Sequence, residues 1–134
     1  MPLKILFIGD VVGSPGRKIV GQVLPRLIHR WGLGLVVCNA ENAAGGSGLT
    51  IKCHEELVEA GVDVFTLGDH VYRKDEVFTL FERTNRLLRP ANFPIDAPGE
   101  ELVLVEGTNT FQLPEPSTYR YGFSSTVGVE PTLV

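Results

Sequence analysis

Short apolar runs and segments of helical periodicity alternate along most of the chain. Residues 3–9 form a nearly unbroken run rich in Ile, Leu and Phe, which predicts a strand buried on both faces of a parallel sheet. Apolar residues then recur at helical spacing as far as Trp31. We expect Ser14 to cap this helix, Pro15 to be its first residue and Gly32 to end it.

The alternation continues beyond this first unit. Residues 33–39 predict a second strand, residues 50–60 a capped second helix, residues 62–67 a third strand and residues 73–83 a third helix. The order βαβαβα predicts an α/β fold with a parallel sheet and right-handed crossovers. Residues 102–106 predict a fourth strand.

The character of the sequence changes near residue 107. Residues 1–106 predict one α/β domain, whereas residues 107–134 show no helical period and consist largely of Thr, Ser, Pro, Gly and aromatic residues. This atypical tail is interpreted as a strand-and-loop appendage, a poorly ordered tail, or a stretch that does not naturally continue the domain.

Charge and composition exclude several classes of partner. Twelve Lys and Arg against 16 Asp and Glu give a net charge of −4, the wrong sign for general adhesion to duplex nucleic acid or an anionic membrane. No apolar run approaches the roughly 20 residues of a membrane helix, and we expect a cytoplasmic protein. The two cysteines have no CxxC spacing, which favours two reduced, packed thiols over a disulfide or metal role.

Polar residues that could bind a ligand or take part in catalysis follow each of the first three predicted strands. Asp10 follows the first strand, Glu41 and Asn42 follow the second, and Asp69 and His70 follow the third, at intervals of roughly 30 residues, the length of one βαβ unit. Parallel strands place such loops at the same edge of the sheet, where open α/β proteins bind ligands. We therefore expect these five side chains to converge.

Three carboxylates, an amide and an imidazole at one edge would repel one another without a cation among them. Oxygen and His nitrogen donors suit Mn, Fe or Zn, and a carboxylate such as Glu41 can bridge two ions. For a single cluster the alternative is a helix cap or a hydrogen-bonded turn. The repetition at three equivalent positions favours a site for divalent metal ions.

Other polar and glycine-rich segments carry weaker signals. The string GDVVGSPGRK has neither dinucleotide nor P-loop spacing, so no nucleotide cofactor is expected. The glycines of residues 45–48 could offer backbone donors to an anion or simply turn the chain. Arg17 and Arg89 are candidates for phosphate contact or for structural ion pairs. His29 and His54 fall within predicted helices, where surface or packing roles are favoured.

Four strings, FIGDVVGSPGR, NAENAAGGSGLT, LGDH and RPANFP, occur in this order within residues 3–99. Together they closely resemble the metallophosphoesterase family of bacterial 2′,3′-cyclic-nucleotide 2′-phosphodiesterases. The resemblance implies a calcineurin-like fold, of which this chain would be the N-terminal half, and a two-metal site, usually of iron, that hydrolyses small phosphodiesters or cyclic nucleotides.

The resemblance also implies a role for each site residue. It makes Asp10 a ligand of the first metal, Glu41 the bridging ligand, Asn42 a further ligand and His70 the proton donor. Asp69 occupies a second-metal position where the family usually has Asn, and its additional negative charge could tighten metal binding and weaken the pull of the metals on the substrate.

Two departures from the family pattern define the alternatives. The family supplies three further histidines from a second half of its fold, whereas no His follows His70 here, and Gly99 is followed by two Glu where the family has Gly-x-Gly. The sequence thus predicts a metal-dependent phosphodiesterase or, alternatively, an inactive truncated fragment that binds metal or a partner. A truncated sheet would expose apolar surface, so a homo-oligomer is a further expectation.

Overall fold

A four-stranded parallel sheet organises the part of the chain that the computed structural model describes, residues 3–108 and 118–123. Its strands are β1 (Ile5–Ile8), β2 (Leu35–Asn39), β3 (Val64–Thr66) and β4 (Leu87–Leu88), arranged in the order β1-β2-β3-β4. All three neighbouring pairs are parallel. The predicted α/β class is confirmed.

Three helices connect these strands: α1 (Gly13–Trp31), α2 (Ile51–Ala60) and α3 (Glu76–Arg83). The strands follow one another across the sheet in sequence order. Since successive crossovers of one handedness in one direction place their helices on the same side, all three helices fall on one face of the sheet. The core on that face joins Leu24, Leu57 and Leu80 of the helices to Cys38 and Phe65 of the strands.

The helix ends follow the predicted capping chemistry at two of three positions. Gly32 ends α1 with a φ of 60°, and the Thr50 hydroxyl begins α2 by accepting a hydrogen bond from the Cys53 N–H at 3.2 Å. The expectation that Ser14 caps α1 is wrong. The helix begins at Gly13, two residues before the predicted first residue, and the φ of 58° at Gly13 turns the chain into the helix without a side-chain cap.

The predicted fourth strand is real, but it belongs to a different sheet. Residues 103–108 form β5 (Val103–Thr108), which pairs antiparallel with β6 (Thr118–Phe123). The parallel sheet instead takes its fourth strand from β4, two residues long and therefore too short to give a sequence signal. β5 runs across the expected domain boundary between residues 106 and 107.

β5 packs on the sheet face opposite the helices. Val103 and Val105 are buried, whereas Leu104 between them is exposed, the alternation of a strand with one buried face. The two valines pack with Val37 and Val64 of the parallel sheet. Within the described residues, no helix is long and apolar enough to cross a membrane.

Candidate metal centre

The loops that follow β1, β2 and β3 lie together at the carboxyl edge of the parallel sheet. Main-chain hydrogen bonds continue beyond the strand ends: the Val11 N–H donates to the Asn39 carbonyl at 3.2 Å, and the Ala40 N–H donates to the Thr66 carbonyl at 3.0 Å. These bonds hold each loop beside the next. The polar residues that follow the three strands are thereby brought to one edge, as parallel pairing requires.

Glu41, Asp69 and His70 form a compact group of possible metal ligands. One donor atom from each of them lies within 4.8 Å of the other two. The His70 N–H donates to Glu41 Oε2 at 3.3 Å, and His70 Nε2 lies 3.8 Å from Asp69 Oδ2. Glu41 and His70 are half-buried and Asp69 is exposed, so the group opens to solvent on one side.

Asp10 and Asn42 adjoin this group through a chain of hydrogen bonds. The Asn42 amide donates from Nδ2 to Asp10 Oδ1 at 2.7 Å, and its Oδ1 lies 2.5 Å from His70 Nδ1. With the amide oxygen as acceptor, Nδ1 of His70 carries the proton, and in a neutral ring Nε2 keeps its lone pair on the side of Asp69. The structure thus connects all five predicted residues and gathers three of them as a ligand group.

The electrostatics of the group favour a cation. Burial raises the pKa of the Glu41 carboxyl, and the neighbouring Asp69 carboxylate raises it further, against the opposing effect of the His70 N–H. The charged form of Glu41 is therefore disfavoured as long as no positive charge stands nearby. Two carboxylates and an imidazole are a donor set that fits a borderline divalent ion such as Mn, Fe or Zn.

Gly68 is a contributor that sequence reasoning missed. A Cβ atom at this position would collide with the carboxylate of Glu41, so the absence of a side chain makes room for that group. The available signal was a glycine directly before the Asp-His pair. The role of this glycine depends on which side chain of another loop lies opposite it, and only the tertiary structure shows that.

The two arginines considered for phosphate contact have structural partners. Arg17 Nε forms an ion pair with Glu56 Oε2 at 2.6 Å, and its Nη1 donates to the Ala43 carbonyl at 2.6 Å. Arg89 is 2% exposed and donates from Nε to the carbonyls of Ala97 and Gly99, each at 3.1 Å. Of the two interpretations of these residues, the structural one is favoured.

The remaining candidates lie outside the ligand group. In the glycine-rich loop, the N–H groups of Gly46 and Gly48 donate to the Asn42 and Glu41 carbonyls, which favours a turn over an anion site. His29 is exposed on α1, and His54 packs against the Phe65 ring at a centroid distance of 4.6 Å.

Both cysteines behave as packed thiols. Cys38 and Cys53 are buried and free, as the sequence predicted. Burial raises the pKa of Cys38 to about 12. A thiol with so high a pKa is almost entirely protonated at neutral pH, so Cys38 is a poor nucleophile and a poor metal ligand.

A parallel sheet with carboxylates and a histidine gathered at its carboxyl edge defines an α/β protein with a candidate centre for divalent cations. The chain belongs to the YmdB-like protein family, whose family model matches residues 6–113. The resemblance carried by the four sequence motifs is thereby confirmed.

Several curated relatives share this region of sequence. Over 104 residues the chain is 43% identical to the 2′,3′-cyclic-nucleotide 2′-phosphodiesterase of Bacillus subtilis, covering 78% of this chain and 39% of that protein. It is 36% identical over 94 residues to a putative phosphatase/phosphodiesterase of Mycoplasma genitalium, covering 70% and 34% respectively. The chain therefore spans less than two fifths of the length of these relatives.

Two solved structures resemble the fold. A hypothetical protein from Thermus thermophilus aligns with a TM-score of 0.72 and 42% identity, over 77% of this chain and 40% of that chain. A novel phosphatase from Mycoplasma pneumoniae aligns with a TM-score of 0.72 and 34% identity, over 78% and 39%. The observed architecture is thus that of the matching portion of two longer chains, one of which is named a phosphatase.

Proposed function

We propose that this chain provides the metal-binding part of a phosphodiesterase that hydrolyses 2′,3′-cyclic nucleotides or related small phosphodiesters. The observation that carries the proposal is the convergence of Glu41, Asp69 and His70, with donor atoms within 4.8 Å of one another, at the carboxyl edge of the sheet. The family membership and the name of the Bacillus subtilis relative supply the reaction class.

The proposed metal ligands are Asp10, Glu41, Asn42 and Asp69, whereas the imidazole of His70, although its donor atom lies near those of Glu41 and Asp69, is assigned to proton transfer and not to the metal. Glu41 would be central among the ligands, because its carboxylate accepts the main-chain N–H of His70 and so lies where the second and third loops meet. When bound, divalent ions supply Lewis-acid stabilisation of the charge on the phosphoryl oxygens. The Oδ1 of Asn42 contacts His70 Nδ1 with one lone pair and keeps a second, so it could hold an ion and orient the imidazole at the same time.

His70 is the proposed proton donor. In hydrolysis, the oxygen of a water molecule forms a bond to phosphorus and the bond from phosphorus to one ribose oxygen breaks. That ribose oxygen takes a proton from Nε2 of a doubly protonated His70, and the water releases a proton to solvent. The Asn42 amide, which contacts Nδ1, holds the ring in place for this transfer, and the Glu41 carboxylate, which accepts the main-chain N–H of His70, fixes the backbone at this residue.

The test combines metal analysis with a rate measurement on the purified full chain. We expect up to two Mn²⁺ ions per chain after loading and hydrolysis of 2′,3′-cyclic AMP. Glu41→Gln should lose the metal, and His70→Ala should keep the metal and lower the rate by about 10²-fold or more. His29→Ala and Glu59→Gln alter exposed residues of the same types and should change neither the metal content nor the hydrolysis rate. Equal rates for the chain and His70→Ala would remove the proposed acid.

A second candidate function is metal binding without turnover. The observation that favours it is the size of the ligand group, since the described residues bring together only three donors from Glu41, Asp69 and His70. Three donors leave much of the coordination shell of a divalent ion to water or to another polypeptide. Stoichiometric metal without hydrolysis would support this function, whereas turnover by the chain alone would exclude it.

A further inference from the structure

Three aromatic rings form a cluster, and the first of them, Tyr72, lies two residues after His70 in the chain. The rings of Tyr72 and Phe78 are stacked, with centroids 5.6 Å apart and an interplanar angle of 5°. Phe93 approaches Tyr72 at a centroid distance of 6.1 Å and an angle of 49°. We name these three residues the aromatic wall.

The wall lies at the same edge of the sheet as the ligand group. Tyr72 is two residues from His70, inside a turn that closes with a hydrogen bond from the Arg73 N–H to the His70 carbonyl at 3.1 Å. Phe93 belongs to the loop that follows β4, and in a parallel sheet this loop lies at the same edge as the loops after β1, β2 and β3.

Two anchors fix the wall in position. The Tyr72 hydroxyl donates to the Pro98 carbonyl at 2.7 Å, which attaches the first ring to the loop that carries the third. The buried guanidinium of Arg89 donates to the Ala97 and Gly99 carbonyls of the same loop. Because the rings are held before any ligand arrives, a planar group can stack on them at little further cost in conformational entropy.

The wall is also accessible. Phe78 is 41% exposed, and Tyr72 and Phe93 are only partly buried. Aromatic faces open to solvent beside a polar site attract flat, weakly polar groups, and every nucleobase has a face of this kind.

We propose that the aromatic wall stacks the base of a nucleotide whose phosphodiester lies at Glu41, Asp69 and His70. The inference rests on the proposed function and makes it more specific: the substrate is recognised through its base as well as its phosphate. Stacking tolerates any base, so the wall predicts little discrimination between purine and pyrimidine nucleotides beyond the greater stacking area of purines.

The test compares two five-membered cyclic diesters, 2′,3′-cyclic AMP and glycerol 1,2-cyclic phosphate, which lacks the base. Affinities are measured by NMR titration on the full chain with Zn²⁺, in the slowly hydrolysing His70→Ala background for every protein compared, and saturation transfer reports which ligand protons touch the protein. We expect Tyr72→Ala to weaken the binding of cyclic AMP by about 5- to 100-fold and to remove saturation transfer to its base protons. The affinity for glycerol cyclic phosphate should be unchanged.

Matched variants separate stacking from a general loss of structure. Tyr72→Phe keeps the ring and should retain most of the affinity for cyclic AMP. Trp31→Ala removes a ring that is 46% exposed at the end of α1, the helix end opposite the carboxyl edge of the strands, and should change nothing.

The outcomes distinguish this inference from the proposed function. If the chain and Tyr72→Ala bind cyclic AMP with equal affinity, the proposal that the aromatic wall stacks the base is wrong. The same conclusion follows if the chain binds cyclic AMP no more tightly than glycerol cyclic phosphate. Hydrolysis of both diesters at similar efficiency would then leave the proposed function standing. A chain that binds neither metal nor diester overturns both.

Discussion

The carboxylate of Glu41 occupies the space that a side chain on residue 68 would need. A Cβ atom built on Gly68 would overlap both carboxylate oxygens and the carbon between them. Glu41 follows the second strand and Gly68 the third, so two loops distant in sequence are matched in shape at the point where the candidate ligands meet. The relationship links a glycine with no chemistry of its own to the geometry of the metal centre.

This relationship predicts that Gly68→Ala impairs metal binding more than folding. The added methyl group displaces the end of a flexible side chain, so we expect the free energy of unfolding to fall by no more than about 1 kcal/mol. The displaced carboxylate leaves its neighbours, and metal affinity should fall by about 10-fold or more. Titration with Mn²⁺ and urea unfolding measure the two effects.

Gly21→Ala is the matched control for that experiment. An added Cβ at Gly21 meets no atom within 4 Å, and the residue lies inside α1. This change should stabilise the chain by about 0.5–1 kcal/mol and leave metal affinity unchanged. Equal metal affinity in the chain and Gly68→Ala would show that the fit between the two residues has no bearing on the site.

Glu41→Gln is expected to stabilise the metal-free chain at neutral pH. Burial and the Asp69 carboxylate raise the pKa of Glu41, so the folded state binds its proton more tightly than the unfolded state does. Such a group stabilises the fold at low pH, and that contribution is lost as pH rises through the raised pKa. The amide avoids this loss, so its melting temperature with EDTA should be a few degrees higher at pH 7.5.

The stabilisation by Glu41→Gln should vanish below pH 4.5, the ordinary pKa of the carboxyl, where it is protonated in both states. Glu59→Gln, at an exposed position of α2, should leave the melting temperature unchanged. A Glu41→Gln chain that melts below the unmodified chain with EDTA at pH 7.5 would show that the carboxylate stabilises the fold without any metal.

Arg89→Met is expected to destabilise the fold by about 3 kcal/mol, because it removes a buried cation and leaves its partners unpaired. Arg89 is 2% exposed and donates to the carbonyls of Ala97, Gly99 and Pro90. Arg89→Lys should recover little, since an ammonium cannot reproduce the guanidinium fork. Urea unfolding measures both effects. The free energy of unfolding of Arg86→Met, a change at an exposed arginine, should stay within about 0.5 kcal/mol of that of the unmodified chain.

The fold should lose stability on mild acidification through His54. Burial against the core lowers the pKa of His54 below its ordinary value of 6.5, although the nearby Glu55 opposes this effect. The unfolded state therefore binds the proton more readily, so the contribution of a neutral His54 is complete above pH 6.5 and is lost as pH falls towards the lowered pKa.

Urea unfolding at pH 7.5 and pH 5.5 measures this loss. His54→Gln should show a smaller decrease in the free energy of unfolding between the two pH values than the unmodified chain. The free energy of unfolding of His29→Gln, a change at an exposed position on α1, should decrease as much as that of the unmodified chain. Identical decreases in all three proteins would show that His54 does not contribute to the acid sensitivity.

Local chemistry was sufficient to predict much of the architecture. The buried strands carry continuous apolar runs and α2 begins with a hydroxyl cap, so periodicity and capping residues indicate both. The start of α1 was missed because the conformation of Gly13, not the hydroxyl of Ser14, sets it. β4 was missed because two residues have no measurable period, and its place beside β3 depends on pairing with a distant segment.

The candidate site divides in the same way. Asp10, Glu41, Asn42, Asp69 and His70 could be selected from the sequence, because parallel strands separated by helices must bring the loops after them to one edge. By itself the sequence determined the fold class, the edge at which chemistry gathers and the residue types found there. Only the tertiary structure decided that Glu41, Asp69 and His70 form the ligand group, that Gly68 makes room for it and that Arg89 is a buried anchor. Those facts depend on distances between side chains of different loops, which the packing of the whole sheet sets.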